Sequence, residues 1–204
     1  MSELSLKLKL SSEIQAKCRA EDSSDHDLMT QIAAGEESAF VELVDRYGQT
    51  VARLIGRLTA WHSDSDDILQ DVFLVAWRKA DTFCGQGSAE GWLKRIAINR
   101  CRNHFRKLNV IKRNLERFAH LVMFNGRAQA EEILSSDEPD TELRQAMDEL
   151  SPEDRLVLVL YYLEEMPGDR VAEILKMRPD AVYVRMHRAR KKLKTILEKN
   201  QSES

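Results

Sequence analysis

Proline and glycine are scarce, four and eight in 204 residues. With long stretches rich in Leu, Ala, Glu, Arg and Lys, that scarcity excludes a turn-rich sheet protein and predicts an all-α chain. Cysteine is scarcer still. Cys18, Cys84 and Cys101 are too few and too scattered for a disulfide framework or a Cys-X-X-Cys metal site, and the five histidines stand at no ligand spacing to them. No metal and no cofactor are expected, and the compartment read from this usage is a reducing cytoplasm. Long apolar runs are also missing: Leu156 to Leu163 is the longest without a charge, far short of the ~20 residues that cross a bilayer. Lys7 and Lys9 interrupt the leucines near the N-terminus, so neither a secretory signal core nor membrane insertion is expected. A net charge of -3 leaves the sum of charges silent about partners.

Their distribution says more. Trp92 to Arg113 holds eight Lys or Arg and no carboxylate, whereas Glu131 to Glu142 holds six acids and no base. Two basic zones, one central and one terminal, with an acidic stretch between them, suit two DNA-contacting modules and a linker that does not cling to DNA. Periodicity divides the chain in the same way. An extension over 1–24, with alternating Leu4, Leu6, Leu8 and Leu10, is expected to be flexible. A helical domain over 25–107 follows, with helices from Asp27, over Glu37–Thr59, over Ser65–Lys79 and from Ala89, and with Trp61, Trp77 and Trp92 expected in its core. Residues 108–140 form a partly helical linker, with Ile111, Leu115, Phe118 and Val122 in register and turn signals at Asn125-Gly126 and Ser135 to Pro139. A second domain spans 141–200. Within it Ser151 suits an N-cap, Pro152 the first helical position and Asp154 the reciprocal capping role.

The stretch Met166 to Leu193 reads as a short helix, a tight turn and a strongly basic second helix, the pattern of a helix-turn-helix. On the second helix Val182, Met186, Ala189, Leu193 and Ile196 share one face, while Asp180, Val184, His187, Arg188, Lys191 and Lys194 share the other. A cationic helix end is also commonly a solvated face that complements the helix dipole. Against that stands the composition from Ala181 to Leu197, six Lys or Arg without one acid, since solvated helices intersperse both signs. On the fourth helix Arg95, Asn99, Arg102 and Arg106 align on one face, opposite Leu93, Ala97, Cys101 and Leu108. Such a basic and amide stripe tracks phosphates and meets exposed base edges.

Asp66 to Lys79, then Gly91 to Arg100, then Leu150-Ser-Pro-Glu-Asp-Arg155 with the helix-turn-helix, resemble a bacterial RNA polymerase sigma factor of the extracytoplasmic-function group. The resemblance covers about Asp27 to Leu197. It implies a non-enzymatic initiation factor that brings core RNA polymerase to promoter DNA, melts the minus-ten element with the first domain and reads the minus-thirty-five element with the second. It implies that Asp67, Gln70, Asp71, Leu74 and Arg78 dock on the polymerase, and that Phe83, Gly85, Gln86, Gly87 and Ser88, with Arg95, Asn99, Arg102 and Arg106, handle the minus-ten strand. It implies that Asp180, Ala181, Val184, Arg185, Arg188, Lys191 and Lys192 face the minus-thirty-five duplex, Arg185 toward guanine and the later cations toward phosphate. An anti-sigma factor is a further partner implied in the same way.

This chain departs from the family pattern at Lys176, where many members have Gly, at Arg178, where a Ser or Thr cap is common, and at Pro167, where Ser is common. Two other functions fit part of the sequence. A stand-alone helix-turn-helix regulator shares the terminal signal but leaves the stripes through Asp67 and Arg95 without a task. A metal-dependent nuclease built on Asp64, Asp66, Asp67 and Asp71 lacks a catalytic His or Lys placed by any motif.

Overall fold

The computed structural model describes residues 24–83, 87–119 and 141–203, with the side chains of 112–119, 141 and 201–203 excepted. Among these residues all regular structure is helical. Helix α1 spans 24–33 and is followed by α2 (Glu37–Thr59), α3 (Ser65–Arg78), a 3-10 turn (Ala80–Thr82) and α4 (Ala89–Ala119). After the undescribed stretch come α5 (Thr141–Asp148), α6 (Pro152–Leu158) prolonged by a π-helical turn (Val159–Leu163), α7 (Gly168–Leu175) and α8 (Pro179–Glu203). The N-terminal leucines, the side chains of Leu115, Phe118 and Val122 and the turn signals after 120 lie outside the described residues.

The chain packs as two compact units, Met1–Val51 with Gln70–Ile96 and Ala52–Leu69 with Ala97–Ser204. In the first, Leu28, Met29 and Ile32 of α1, Leu43 and Val51 of α2, Val72, Phe73 and Ala76 of α3 and Leu93 of α4 are buried. Phe40 packs edge-on against Trp77, ring centroids 5.0 Å apart. In the second, Leu54, Ile55 and Leu58, then Ala97, Ile98, Cys101 and Phe105, join Val157 to Leu160, Val171, Leu175, Val182, Ala189 and Ile196. Each large apolar side chain so buried contributes about 1.5–3 kcal/mol against the ordering entropy of the chain. The grouping differs from the boundaries expected at 107 and 141, because α2, α3 and α4 supply residues to both units and α4 runs unbroken past 107.

Local chemistry explains most of the ends. Gly35, at φ +91°, stops α1 in a conformation open to glycine, its N–H bonded to the Ile32 carbonyl at 2.9 Å. Ala60 and Trp61 both hold positive φ after α2, which folds the Trp61 indole back onto Gly56, where an added Cβ would lie 2.7 Å from Nε1. Trp61, Trp77 and Trp92 are half-buried rather than core residues. Leu108, expected on the inner face of α4, is exposed, and Phe105 takes the place after Cys101. Cys101 is enclosed, and burial pushes its thiol up to about 12.

Candidate functional site

Helix α3 buries Ile68, Val72, Phe73, Val75 and Ala76. That commitment turns the stripe Asp67, Gln70, Leu74 and Arg78 outward, all exposed, with Asp71 half-buried beside them. Leu74 stays 45% exposed between carboxylates on one side and a cation on the other. An apolar centre with a polar rim is a docking face in miniature, in which rim charges set register.

Helix α4 starts with two ties. The Ser88 hydroxyl oxygen accepts from the Gly91 N–H at 3.2 Å, an N-cap, and the Asp25 carboxylate accepts from the Ala89 N–H at 2.9 Å. Gly87 is exposed at φ +94°, whereas Gly85 and Gln86 lie outside the described residues. Phe83, which by sequence could equally meet DNA or anchor the loop in the core, is only 8% exposed and packs edge-on against Trp92, centroids 5.9 Å apart. Its ring therefore anchors the chain ahead of α4 from within. Arg95, Asn99 and Arg106 face solvent as the stripe requires.

Arg102 does not. It is half-buried, and its guanidinium donates to the carbonyls of Ile174 and Leu175, each at 2.9 Å. Burial, and then the neighbouring Arg106, bring that guanidinium below its ordinary range. Those two acceptors are carbonyls at the end of α7, where Lys176 in the left-handed conformation (φ 53°, ψ 46°) closes the helix. The Met177 N–H bonds to the Ala172 carbonyl at 2.9 Å and the Lys176 N–H to Glu173 at 3.2 Å. The turn satisfies two of the last four carbonyls and Arg102 the other two.

On α8 the expected faces appear. Val182, Ala189 and Ile196 are buried and Met186 and Leu193 half-buried, while Asp180, Ala181, Val184, His187, Arg188, Lys191, Lys192 and Lys194 are exposed. The Arg185 guanidinium lies 3.6 Å from the Asp154 carboxylate. Ser151, Asp154, Met177, Ala181, Val184, Arg185 and Arg188 line an open hollow of about 500 Å³ between the start of α6 and the exposed face of α8. Ser151 caps α6 by accepting from the Asp154 N–H at 3.3 Å, but the reciprocal role expected of Asp154 is replaced by its pairing with Arg185. The side chain of Tyr183 reaches Gly168 at the start of α7, so an added Cβ there would meet its hydroxyl at 2.5 Å.

Three residues that hold these surfaces escape a reading of periodicity. Arg155 is buried and donates to the carbonyls of Met147 at 2.9 Å and Asp148 at 3.0 Å, fastening the end of α5 to α6. The half-buried Tyr47 donates its hydroxyl to the buried Asp25 carboxylate at 2.6 Å. None shows a local sequence signal, because each partner stands in another element.

Among the described residues no group of three or more His, Cys, Asp or Glu is arranged to hold a metal ion, and no helix is long and apolar enough to cross a membrane. Two family models match the chain, Sigma-70 region 2 over residues 43–110 and Sigma-70, region 4 over residues 140–193. The RNA polymerase sigma factor CnrH of Cupriavidus metallidurans is 29% identical over 190 residues, 87% of this chain and 96% of that protein. The ECF RNA polymerase sigma-E factor of Escherichia coli is 26% identical over 178 residues, 84% and 93% of the two chains. The solved structure of CnrH in complex with the cytosolic domain of CnrY aligns with a TM-score of 0.53 at 27% identity, covering 85% of this chain and 97% of that one. A second fold likeness, at TM-score 0.58 and 21% identity over 78% and 96% of the two chains, is to the sigma factor RpoE in complex with the anti-sigma factor NepR from Bartonella quintana.

Proposed function

Because this chain belongs to the extracytoplasmic-function group of the sigma-70 family, we propose that it binds core RNA polymerase and directs it to specific promoters, opening the minus-ten element and reading the minus-thirty-five element. The observation that supports this reading is that the chemistry-bearing stripes of α3, α4 and α8 stand on the outer sides of helices whose opposite sides are buried. In this reading Asp67, Gln70, Asp71, Leu74 and Arg78 dock on the polymerase. Arg95, Asn99 and Arg106, with Ser88 and Gly87 at the head of α4, hold the minus-ten strand. A base taken out of the stack costs roughly a few kcal/mol, which contacts in the capturing surface offset. Gly85 and Gln86 belong to that surface by sequence, Phe83 serves as its buried anchor, and Arg102 joins the stripe only by leaving the carbonyls at the end of α7.

Asp180, Ala181, Val184, Arg185, Arg188, Lys191 and Lys192 meet the minus-thirty-five duplex, with the hollow lined by Arg185 and Arg188 toward the major groove. CnrH bound to the cytosolic domain of CnrY supports a regulating protein, an anti-sigma factor, as a further partner. The test is run-off transcription from a library of promoter-length duplexes with purified core RNA polymerase. Initiation from a selected subset only when the chain is present is the expected result. Failure of the chain to associate with core polymerase in gel filtration would remove the proposal.

A further inference from the structure

The proposed function employs α3, α4 and α8 and leaves α1 without a task. Yet the first turn of α1 carries a buried acid, Asp25, at 1% exposure. Three donors converge on it. The Tyr47 hydroxyl at 2.6 Å and an Arg46 guanidinium N–H at 3.2 Å reach one carboxylate oxygen, and the Ala89 N–H at 2.9 Å reaches the other. Arg46 also donates to the Ser24 hydroxyl at 3.2 Å and to Glu42, so one guanidinium is shared between two carboxylates. One residue on, the His26 ring faces Phe83 with centroids 6.5 Å apart. Two adjacent residues of α1 thus hold the chain on both sides of the stretch between Phe83 and Ala89.

Helix stability alone does not account for this arrangement. Ser88 already caps α4 from the adjacent position, and the buried Ala89 N–H would be satisfied equally well by a neutral carbonyl or hydroxyl oxygen. A carboxylate taken out of water incurs a desolvation cost that only well-placed donors offset. What a tie from 64 residues away adds is a fixed location for the first turn of α4 relative to α1 and α2. We infer that Asp25 and His26 are positioning residues for the minus-ten-reading surface: they set where Phe83 and Ala89 stand and, through Ala89, the bearing of the α4 turns that present Arg95 and Asn99. This rests on the minus-ten assignment proposed above.

The experiment uses the full chain reconstituted with core RNA polymerase. Sequences enriched from a duplex library with a randomised ten-base window are rebuilt as pre-opened heteroduplexes, and single-base changes in the unpaired non-template strand are compared. His26→Ala tests an exposed residue whose loss leaves the buried cluster intact, Tyr47→Phe removes one of the three donors, and Asp25→Asn removes the charge. Discrimination between preferred and substituted bases is expected to fall by roughly tenfold or more in Asp25→Asn and His26→Ala, since small misplacements carry large penalties, and less in Tyr47→Phe. Core affinity and binding to a duplex minus-thirty-five element are expected to stay at the wild-type level. Variants that melt at lower temperature yet keep the wild-type discrimination ratio would overturn the positioning role. A wild-type chain that discriminates no base in the open strand would instead bring down the base-capture reading. Hydrogen exchange at residues 87–92 then decides the tie from Asp25 to Ala89 by itself: faster exchange in Asp25→Asn supports it, unchanged exchange overturns it.

Discussion

Single side chains in this molecule face choices that their neighbours decide. Arg185 sits 3.6 Å from Asp154, a pairing that holds its guanidinium at the hollow beside α8, whereas Lys191 lies exposed further along the same helix. Arg185→Ala is expected to relax base choice at one minus-thirty-five position by about 1–3 kcal/mol. Lys191→Ala is expected to weaken all sequences alike and to reduce the salt slope by about 1. Filter binding against a substitution series at several salt concentrations separates the two, and uniform scaling by both variants would refute the assignment. Lys176 holds φ 53° at the end of α7. Gly there removes the strain but adds unfolded-state entropy, so Lys176→Gly should gain about 0.5–1 kcal/mol in denaturant unfolding. Burial first, and the hydrogen bond to Asp25 second, push the Tyr47 hydroxyl up to about 12. Because the folded value lies above the unfolded one of about 10, its contribution is present below pH ~10 and is lost as pH rises through about 12. Ultraviolet titration should show a tyrosinate step near pH 12 that Tyr47→Phe removes.

Elements were legible in proportion to how local their causes are. Ser151 caps α6 as its sequence demands, with Pro152 at the first position and the Asp154 N–H on the Ser151 oxygen. Ser151→Ala should therefore cost about 1 kcal/mol in thermal or denaturant unfolding, the ordinary worth of an N-cap, and a cost indistinguishable from zero would mean that the cap is dispensable. Arg155, four residues on, bonds carbonyls at the end of α5, and Arg155→Leu should lose about 1–3 kcal/mol by leaving them without a donor. The two faces of α8 and the outward stripe of α3 follow from the 3.6-residue repeat, because one-sided burial leaves a pattern within a single segment. Phe83, Arg102 and Asp25 left no such pattern. The partner of each stands in another element, Trp92 for the first, the end of α7 for the second and Ala89 for the third, so nothing within either segment announces it. Asp154 shows the same limit, since a local rule assigned it to a capping box and Arg185 claimed it instead.

At the scale of the packed molecule, the unit built from Ala52–Leu69 and Ala97–Ser204 contains a set of polar ties, one of which competes with the proposed function. Arg57 pairs with Glu164 at 3.2 Å, His62 with Asp148 at 2.7 Å, and the Arg144 guanidinium stands 5.5 Å from the centre of the Trp61 ring. The exposed His62–Asp148 pair contributes little, whereas Arg57–Glu164 is part-buried. Arg102 differs because its two bonds complete the carbonyls of α7, acceptors that would otherwise lack a partner in a half-buried place. A guanidinium with two acceptors in hand gains less from a phosphate than one facing water, since it must first give those bonds up. Arg106, one turn on and exposed, has no such commitment to α7. The pair therefore splits stability from binding. Arg102→Ala should lower unfolding stability by about 1–3 kcal/mol while changing the salt slope for single-stranded DNA little. Arg106→Ala should leave stability within about 0.5 kcal/mol and reduce that slope by about 0.7. Denaturant unfolding and salt-dependent binding to a single-stranded oligonucleotide measure both quantities on the same four samples: wild type, each single variant and the double. A wild-type melt for Arg102→Ala together with a full drop in slope would mean that Arg102 already serves DNA and that its bonds to Ile174 and Leu175 are incidental.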